Sequence, residues 1–218
     1  MIKNVLFDLD GTLADTAPDL AGALNAIRIK NNLPALPLEK ISPTVSLGGN
    51  AMIKLAFNLD EGDSDFDEIR DQFFNYYLEH IADESRLYDD MEELLTSLEN
   101  NNIAWGIVTN KSEWLTMPLL KALSLEKRTS CIVCGDTLAH RKPHPAPLLH
   151  ACDLIQAEPA STVYIGDAQR DIQAGISAGT KTIVALYGYI ETNEDPANWN
   201  ADAMVSSVNE IKDKLSEL

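Results

Sequence analysis

The stretch NVLFDLDGTLADT, residues 4–16, runs from an unbroken apolar segment into two aspartates, Asp8 and Asp10, with one leucine between them. Side chains two residues apart on an extended chain point to the same side, so both carboxylates face one small volume. Held that close without compensation they repel, and the pKa of one rises unless a cation sits between them. Gly11 and Thr12 then turn the chain. DLDG invites comparison with a calcium loop, but the register excludes it. Counting from Asp8, position 5 is Thr12, and the glycine required at position 6 is Leu13. A pair of exposed turn aspartates is the plain alternative, which the pair by itself leaves open.

Further apolar, β-branched runs ending in polar loops lie at KNVLF (3–7), IAWGIVT (103–109), SCIVC (130–134), TVYIG (162–166) and KTIVAL (181–186). Their hydrophobicity is continuous rather than alternating, which suits strands buried on both faces of a parallel sheet. Helical spacing connects Met91, Leu94, Leu95 and Leu98, then Leu115, Leu119 and Leu123, then Leu148, Leu149 and Cys152, then Ile172, Ala174 and Ile176. This alternation predicts an α/β fold, a Rossmann-like doubly wound parallel sheet. Residues 16–84 break the rhythm. Thr16 can cap a helix carrying Leu20, Ala23, Leu24 and Ile27, with Pro18 in its first turn, and Ile69, Phe73, Tyr77 and Ile81 mark a later helix. VSLGGNAM (45–52) places a glycine pair before another helical run. The interval is predicted to be an all-helical insertion after the first strand, leaving 1–15 and 85–218 as the core.

Two more strand ends carry polar residues. GIVTNK offers Thr109, Asn110 and Lys111 where a loop begins, and VYIGDAQRD carries Gly166, Asp167 and, four residues later, Asp171. A turn explains the first and helix capping the second when each is taken alone. In an open α/β sheet, however, the carboxyl ends of neighbouring strands converge on one crevice. Asp8, Asp10, Asp167 and Asp171 then form one acidic site, which calls for a hard divalent cation, Mg²⁺ first when a phosphate shares it. HRKPHP (140–145) supplies cationic compensation through Lys142, otherwise an ordinary surface lysine. His140, His144 and His150 read as surface or loop residues.

With 17 basic against 34 acidic residues in 218, a formal net charge of −17, neither counterion release on nucleic acid nor a polybasic hold on a membrane is expected. Much of the acidity lies in NLDEGDSDFDEIRD (58–71), read as a solvated loop and helix start. No basic, long-apolar leader and no membrane-length apolar run is present, so the cytoplasm is the expected location. Three cysteines do not suggest a disulfide framework, and Cys131 and Cys134 read as core residues of a buried strand.

With DxDGT, a later strand ending in Thr, a Lys-Pro and GDxxxD in this order, the chain resembles the haloacid dehalogenase superfamily of phosphohydrolases. The helical interval resembles that superfamily's C1-type cap. The resemblance implies that Asp8 is the nucleophile forming an aspartyl-phosphate, and that Asp10 protonates the leaving oxygen and then activates water. It implies that Thr109 and Lys142 hold the phosphoryl oxygens, with Asn110 and the backbone around Gly11 nearby. Mg²⁺ would be held by Asp8, the main-chain carbonyl of Asp10 and Asp167, with Asp171 supporting. Asp10 argues against the dehalogenases, whose halide leaving group needs no proton. VSLGGNAM resembles the cap loop of phosphoglycolate phosphatases, and ALYGYIETNEDPANWNAD (185–202) resembles the corresponding stretch of N-acetylmuramic acid 6-phosphate phosphatases. Tyr187, Tyr189 and Trp199 there are expected to pack structurally, with support of a larger substrate as the alternative. A small phosphorylated metabolite is the expected partner, N-acetylmuramate 6-phosphate or 2-phosphoglycolate, for a monomer or homodimer. A β-phosphoglucomutase-like transferase stays open, as does a non-catalytic receiver-like module, although the latter needs neither DxDGT nor the helical insertion.

Overall fold

The computed structural model describes residues 2–191 and 193–218. In chain order the elements are β1 (Asn4–Phe7), β2 (Ala14–Asp15), α1 (Ala17–Lys30), α2 (Leu38–Val45), α3 (Gly49–Phe57), α4 (Phe66–Glu79), β3 (Arg86–Leu87) and α5 (Met91–Asn100). There follow β4 (Ala104–Val108), α6 (Glu113–Ala122), β5 (Ile132–Val133), α7 (Ala146–Leu154), β6 (Thr162–Gly166), α8 (Gln169–Ala178), β7 (Lys181–Ala185), β8 (Ala203–Val205) and α9 (Asn209–Glu217). Six of the strands form a parallel sheet in the order β5-β4-β1-β6-β7-β8.

Side chains of β1 explain why its run is continuously apolar. Val5 and Phe7 enter one apolar cluster with Met91, Leu95 and Trp105, whereas Leu6 enters another with Val108, Leu148 and Tyr164. Both faces of the sheet are covered, so no position in the strand can be polar without cost. The connections leave β1 towards β4 and β5 on one side and β6 to β8 on the other. This makes the carboxyl end of β1 the switch point where a crevice opens. Register sets the depth of that crevice: Phe7 stands level with both Ile107 and Ile165.

Helices α1 to α4 lie between β2 and β3 and bury their own cluster, with Leu24, Ile41, Ile53, Phe73 and Tyr77 at its centre. The chain leaves and returns side by side, because β2 and β3 pair antiparallel, Ala14 opposite Leu87 and Asp15 opposite Arg86. Asp19 secures the return: its carboxylate accepts from Glu84 N, Ser85 N and Ser85 Oγ, the closest at 2.6 Å. The outward crossing is held by the Tyr189 hydroxyl, which accepts from Thr16 N at 2.7 Å and Ala17 N at 2.9 Å and donates to Asp15 Oδ1 at 2.6 Å.

Several expectations are corrected. Thr16 does not cap α1 with its side chain; its hydroxyl turns back to Asp10, and Tyr189 serves the first amides instead. Ile81 lies beyond the end of α4, and Leu149 and Ile176 are exposed. The SCIVC strand shrinks to Ile132–Val133, and β8 was not foreseen. Cys131, Cys134 and Cys152 are free and buried, the first two with thiol pKa values that burial pushes up to about 12 and about 11. Trp199 packs with Ile172 and Val184. No helix among the described residues is long and apolar enough to cross a membrane.

Candidate active site

The residues that end β1, β4 and β6 meet as the register dictates: Asp8, Thr109 and Asp167, all buried. Lys142, from the loop before α7, reaches into their midst with its side chain fully buried. Its ammonium lies 2.9 Å from Asp8 Oδ1 and 2.8 Å from Asp171 Oδ1, and donates also towards Val108 O and the Tyr164 hydroxyl. A lysine so far from water is tolerable only among such acceptors. Asp8 Oδ1 also accepts from Leu9 N at 2.8 Å, while nothing among the described residues engages Oδ2. Burial pushes the Asp8 carboxyl above the usual carboxylate range, against the pull of Lys142.

The Asn110 side chain engages the backbone of Lys142. Its Oδ1 accepts from Lys142 N and its Nδ2 donates to Lys142 O, both at 3.0 Å. The amide thus spends both ends fixing the backbone of Lys142. Thr109 Oγ1 accepts from Lys111 N at 3.1 Å, and its own proton has no acceptor among the described residues. Gly11 commits its amide to Ala14 O and stands at φ +82°, where a Cβ would meet Asp167 Oδ2 at 2.1 Å. A side chain there would displace the aspartate.

Asp8, Asp167 and Asp171 can each turn one oxygen into a common volume, within 4.8 Å of one another. Asp167 Oδ2 accepts from Tyr189 N at 2.8 Å and Ser46 Oγ at 2.9 Å, but Oδ1 is buried with no partner. Burial, with Asp8 and Asp171 alongside, pushes Asp167 up to about 7. An orphan carboxylate oxygen beside two further carboxylates fits a hard divalent cation. Asp167 does not cap α8. Asp171 does, accepting from Ala168 N at 3.0 Å.

The Asp10 carboxylate stands outside that group of three. Its Oδ1 accepts from Thr16 Oγ1 at 2.6 Å and Lys111 Nζ at 2.8 Å. Lys111 bonds also to the Tyr77 hydroxyl of α4 at 3.0 Å. Burial alone would lower its pKa, but Asp10 and Tyr77 reverse that and hold it above the usual lysine range.

Part of this constellation opens into a cavity of about 550 Å³, which Lys142, Asp167 and Asp171 do not line. Asp8, Asp10, Thr109 and Lys111 form its floor, and residues 45–50 with Arg70 and Phe74 contribute from the helical interval. Tyr164, Ser46 and Arg170 carry no signal in the sequence, and Tyr189 makes hydrogen bonds beyond the structural packing expected of it. Lys111, at the end of GIVTNK, finds its partners Asp10 and Tyr77 only in the fold.

The haloacid dehalogenase-like hydrolase profile matches residues 5–185. The N-acetylmuramic acid 6-phosphate phosphatase of Pseudomonas aeruginosa is 40% identical over 214 residues, covering 98% of this chain and 95% of that protein. The phosphoglycolate phosphatase of Xanthomonas campestris pv. campestris is 42% identical, covering 93% and 91%. The crystal structure of a predicted phosphoglycolate phosphatase from Haemophilus somnus superposes with a TM-score of 0.88 at 29% identity, covering 98% and 97%. With the four motifs gathered at the carboxyl end of the sheet, the chain belongs to the haloacid dehalogenase-like hydrolases and stands among their phosphomonoester hydrolases.

Proposed function

We propose that this chain is a Mg²⁺-dependent phosphatase that hydrolyses N-acetylmuramate 6-phosphate through an aspartyl-phosphate intermediate. The observation that carries the reading is the buried Lys142, held between Asp8 and Asp171 beside the orphan oxygen of Asp167. In this reading α1 to α4 are a C1-type cap, residues 16–84, over a core of 1–15 and 85–218. Relatives named for the muramic acid ester and for phosphoglycolate match about equally. Size favours the sugar: pockets of about 300–1,000 Å³ suit drug-sized ligands, and a two-carbon glycolate leaves most of such a space empty.

Asp8 attacks phosphorus in line with the ester oxygen. As the new O–P bond forms, the ester P–O bond breaks and Asp10 gives its proton to the departing alkoxide. Water then attacks the aspartyl-phosphate, Asp10 takes its proton, and inorganic phosphate leaves Asp8 free. Thr109 Oγ and Lys142 hold the phosphoryl oxygens, and Asn110 fixes the lysine that does so. Asp8, Asp167 and the Asp10 carbonyl, with Asp171 supporting, would hold Mg²⁺, which neutralises phosphoryl charge when bound. We assign the enzyme to the cytoplasm, as a step in recycling cell-wall sugars, in keeping with three free cysteines. Phosphate release from both esters, with and without chelator, tests the reading. A chelator-insensitive rate, or full activity in Asp8→Asn, sinks the mechanism, and a preference for phosphoglycolate sinks the substrate.

A further inference from the structure

The cavity runs against the charge of the chain. Acidic residues outnumber basic ones two to one overall, yet Arg70, Lys111, Arg141 and Arg170 line the cavity against only Asp8 and Asp10. Both of those aspartates already hold a lysine, Lys142 and Lys111 respectively. Three guanidinium groups are therefore in excess, and their present commitments are slight. Among the described residues no hydrogen bond or ion pair engages Arg170, and Arg141 uses only its Nε, on Gly135 O. Arg70 pairs with Asp67 at 2.8 Å and Asp71 at 3.4 Å, both well exposed on its own helix, pairings that water and a ligand carboxylate readily displace.

Charge counting separates the three. With a divalent cation bound, Asp8, Asp167, Asp171 and Lys142 sum to zero, and so do Asp10 and Lys111. A phosphoryl dianion entering that neutral shell is balanced by two guanidiniums. Arg170 lies in the field of Asp171, Asp8 and Asp167, and Arg141 adjoins Lys142 in the chain, so both are assigned to the phosphoryl side. Arg70 is left over, and it comes from α4, in the helical interval. Phe74 lies one turn further along the same helix and also lines the cavity. Its ring occupies the space that any Cβ on Gly49 would need, so the second glycine of VSLGGNAM makes room for it.

We infer that Arg70 and Phe74 form the face that reads the leaving half of the substrate. The Arg70 fork binds a carboxylate and the Phe74 ring covers the apolar face of a sugar. This rests on the phosphomonoester reading above, and it assigns the recognised group as an acid-bearing sugar rather than any sugar phosphate.

The test compares kcat/KM for N-acetylmuramate 6-phosphate and N-acetylglucosamine 6-phosphate, which lacks only the lactyl ether with its carboxylate. Wild type, Arg70→Ala and Arg70→Gln are measured, and the glutamine variant preserves the length of the side chain should alanine impair folding. The expected result is a roughly 10- to 100-fold fall in the ratio of the two values, carried by KM, as loss of a charged hydrogen bond predicts. Where turnover of the glucosamine ester is too slow to read, p-nitrophenyl phosphate takes its place as the carboxylate-free substrate. A ratio within about threefold of wild type in the variants overturns the inference while leaving the phosphatase reading intact. Wild-type protein that hydrolyses none of these esters refutes the phosphatase reading and removes the inference with it.

Discussion

Replacing Tyr189 by phenylalanine removes one oxygen and leaves the ring in place, so the cost comes from hydrogen bonds rather than from a cavity. That oxygen accepts from Thr16 N and Ala17 N, residues 0% and 2% exposed, and donates to Asp15 Oδ1. Burial above all, with Tyr88 and Asp15 beside it, holds the hydroxyl pKa far above its ordinary value, so the proton stays available to Asp15. A buried amide left without an acceptor costs about 1–3 kcal/mol, and a bond to a charged acceptor contributes about 1.5–3 kcal/mol. Two amides share the oxygen and Asp15 is half-exposed, so we expect a loss of about 3–5 kcal/mol in Tyr189→Phe. At about 2–4 °C per kcal/mol for a chain of this length, Tm falls by about 10 °C. Urea unfolding followed by circular dichroism checks this, with a lowered midpoint at unchanged slope. A loss below about 1 kcal/mol at unchanged slope would show that the hydroxyl does not secure the outward crossing.

Asp167→Asn keeps an acceptor for Tyr189 N and Ser46 Oγ while deleting a buried charge, so metal-free protein should gain about 2 kcal/mol at pH 8 and lose phosphatase activity; an unchanged or lowered apo Tm contradicts the crowding of charge. Lys142→Met leaves Asp8 and Asp171 facing each other without their cation, and a loss of about 3–5 kcal/mol in denaturant unfolding is expected. Asn110→Ala frees the Lys142 backbone, and kcat should drop about 10-fold or more with little change in KM; an unaltered kcat removes its positioning part. For pH, the folded Asp167 pKa of about 7 lies above its usual 3.8. Between those values the folded state holds a proton that the unfolded state lacks, so metal-free stability rises as pH falls from 8 towards 5. The same proton competes with the metal, and Mg²⁺ affinity measured calorimetrically should weaken about tenfold per pH unit below about 7.

Much of the core was legible because two-sided burial writes an unmistakable pattern: β6 and β7 emerge almost residue for residue from TVYIG and KTIVAL. The short edge strand β8 was not legible, since Met204 faces outward and Ala203 is only partly buried. At the site, Asp8, Thr109, Lys142 and Asp167 were readable because each sits at the end of an apolar run or in a loop beyond one. What escaped depends on contacts between distant segments. Ser46 meets Asp167 across 121 positions, and Tyr189 meets Thr16 across 173. No local spacing announces either contact. Thr16 is a local case instead: a threonine before a helix suggests a cap, but Asp10, six residues earlier, takes its hydroxyl proton.

The pairing of β2 with β3 has a consequence for engineering. Because Asp15 stands opposite Arg86, the ends of the helical interval are neighbours across an antiparallel ladder. A two-residue Asn-Gly turn joining them would close a hairpin in place of seventy residues, without altering a strand of the main sheet. The interval thus begins and ends at one splice point outside the six-stranded sheet, and its removal would uncover Leu115 and Tyr189, which pack into its apolar cluster.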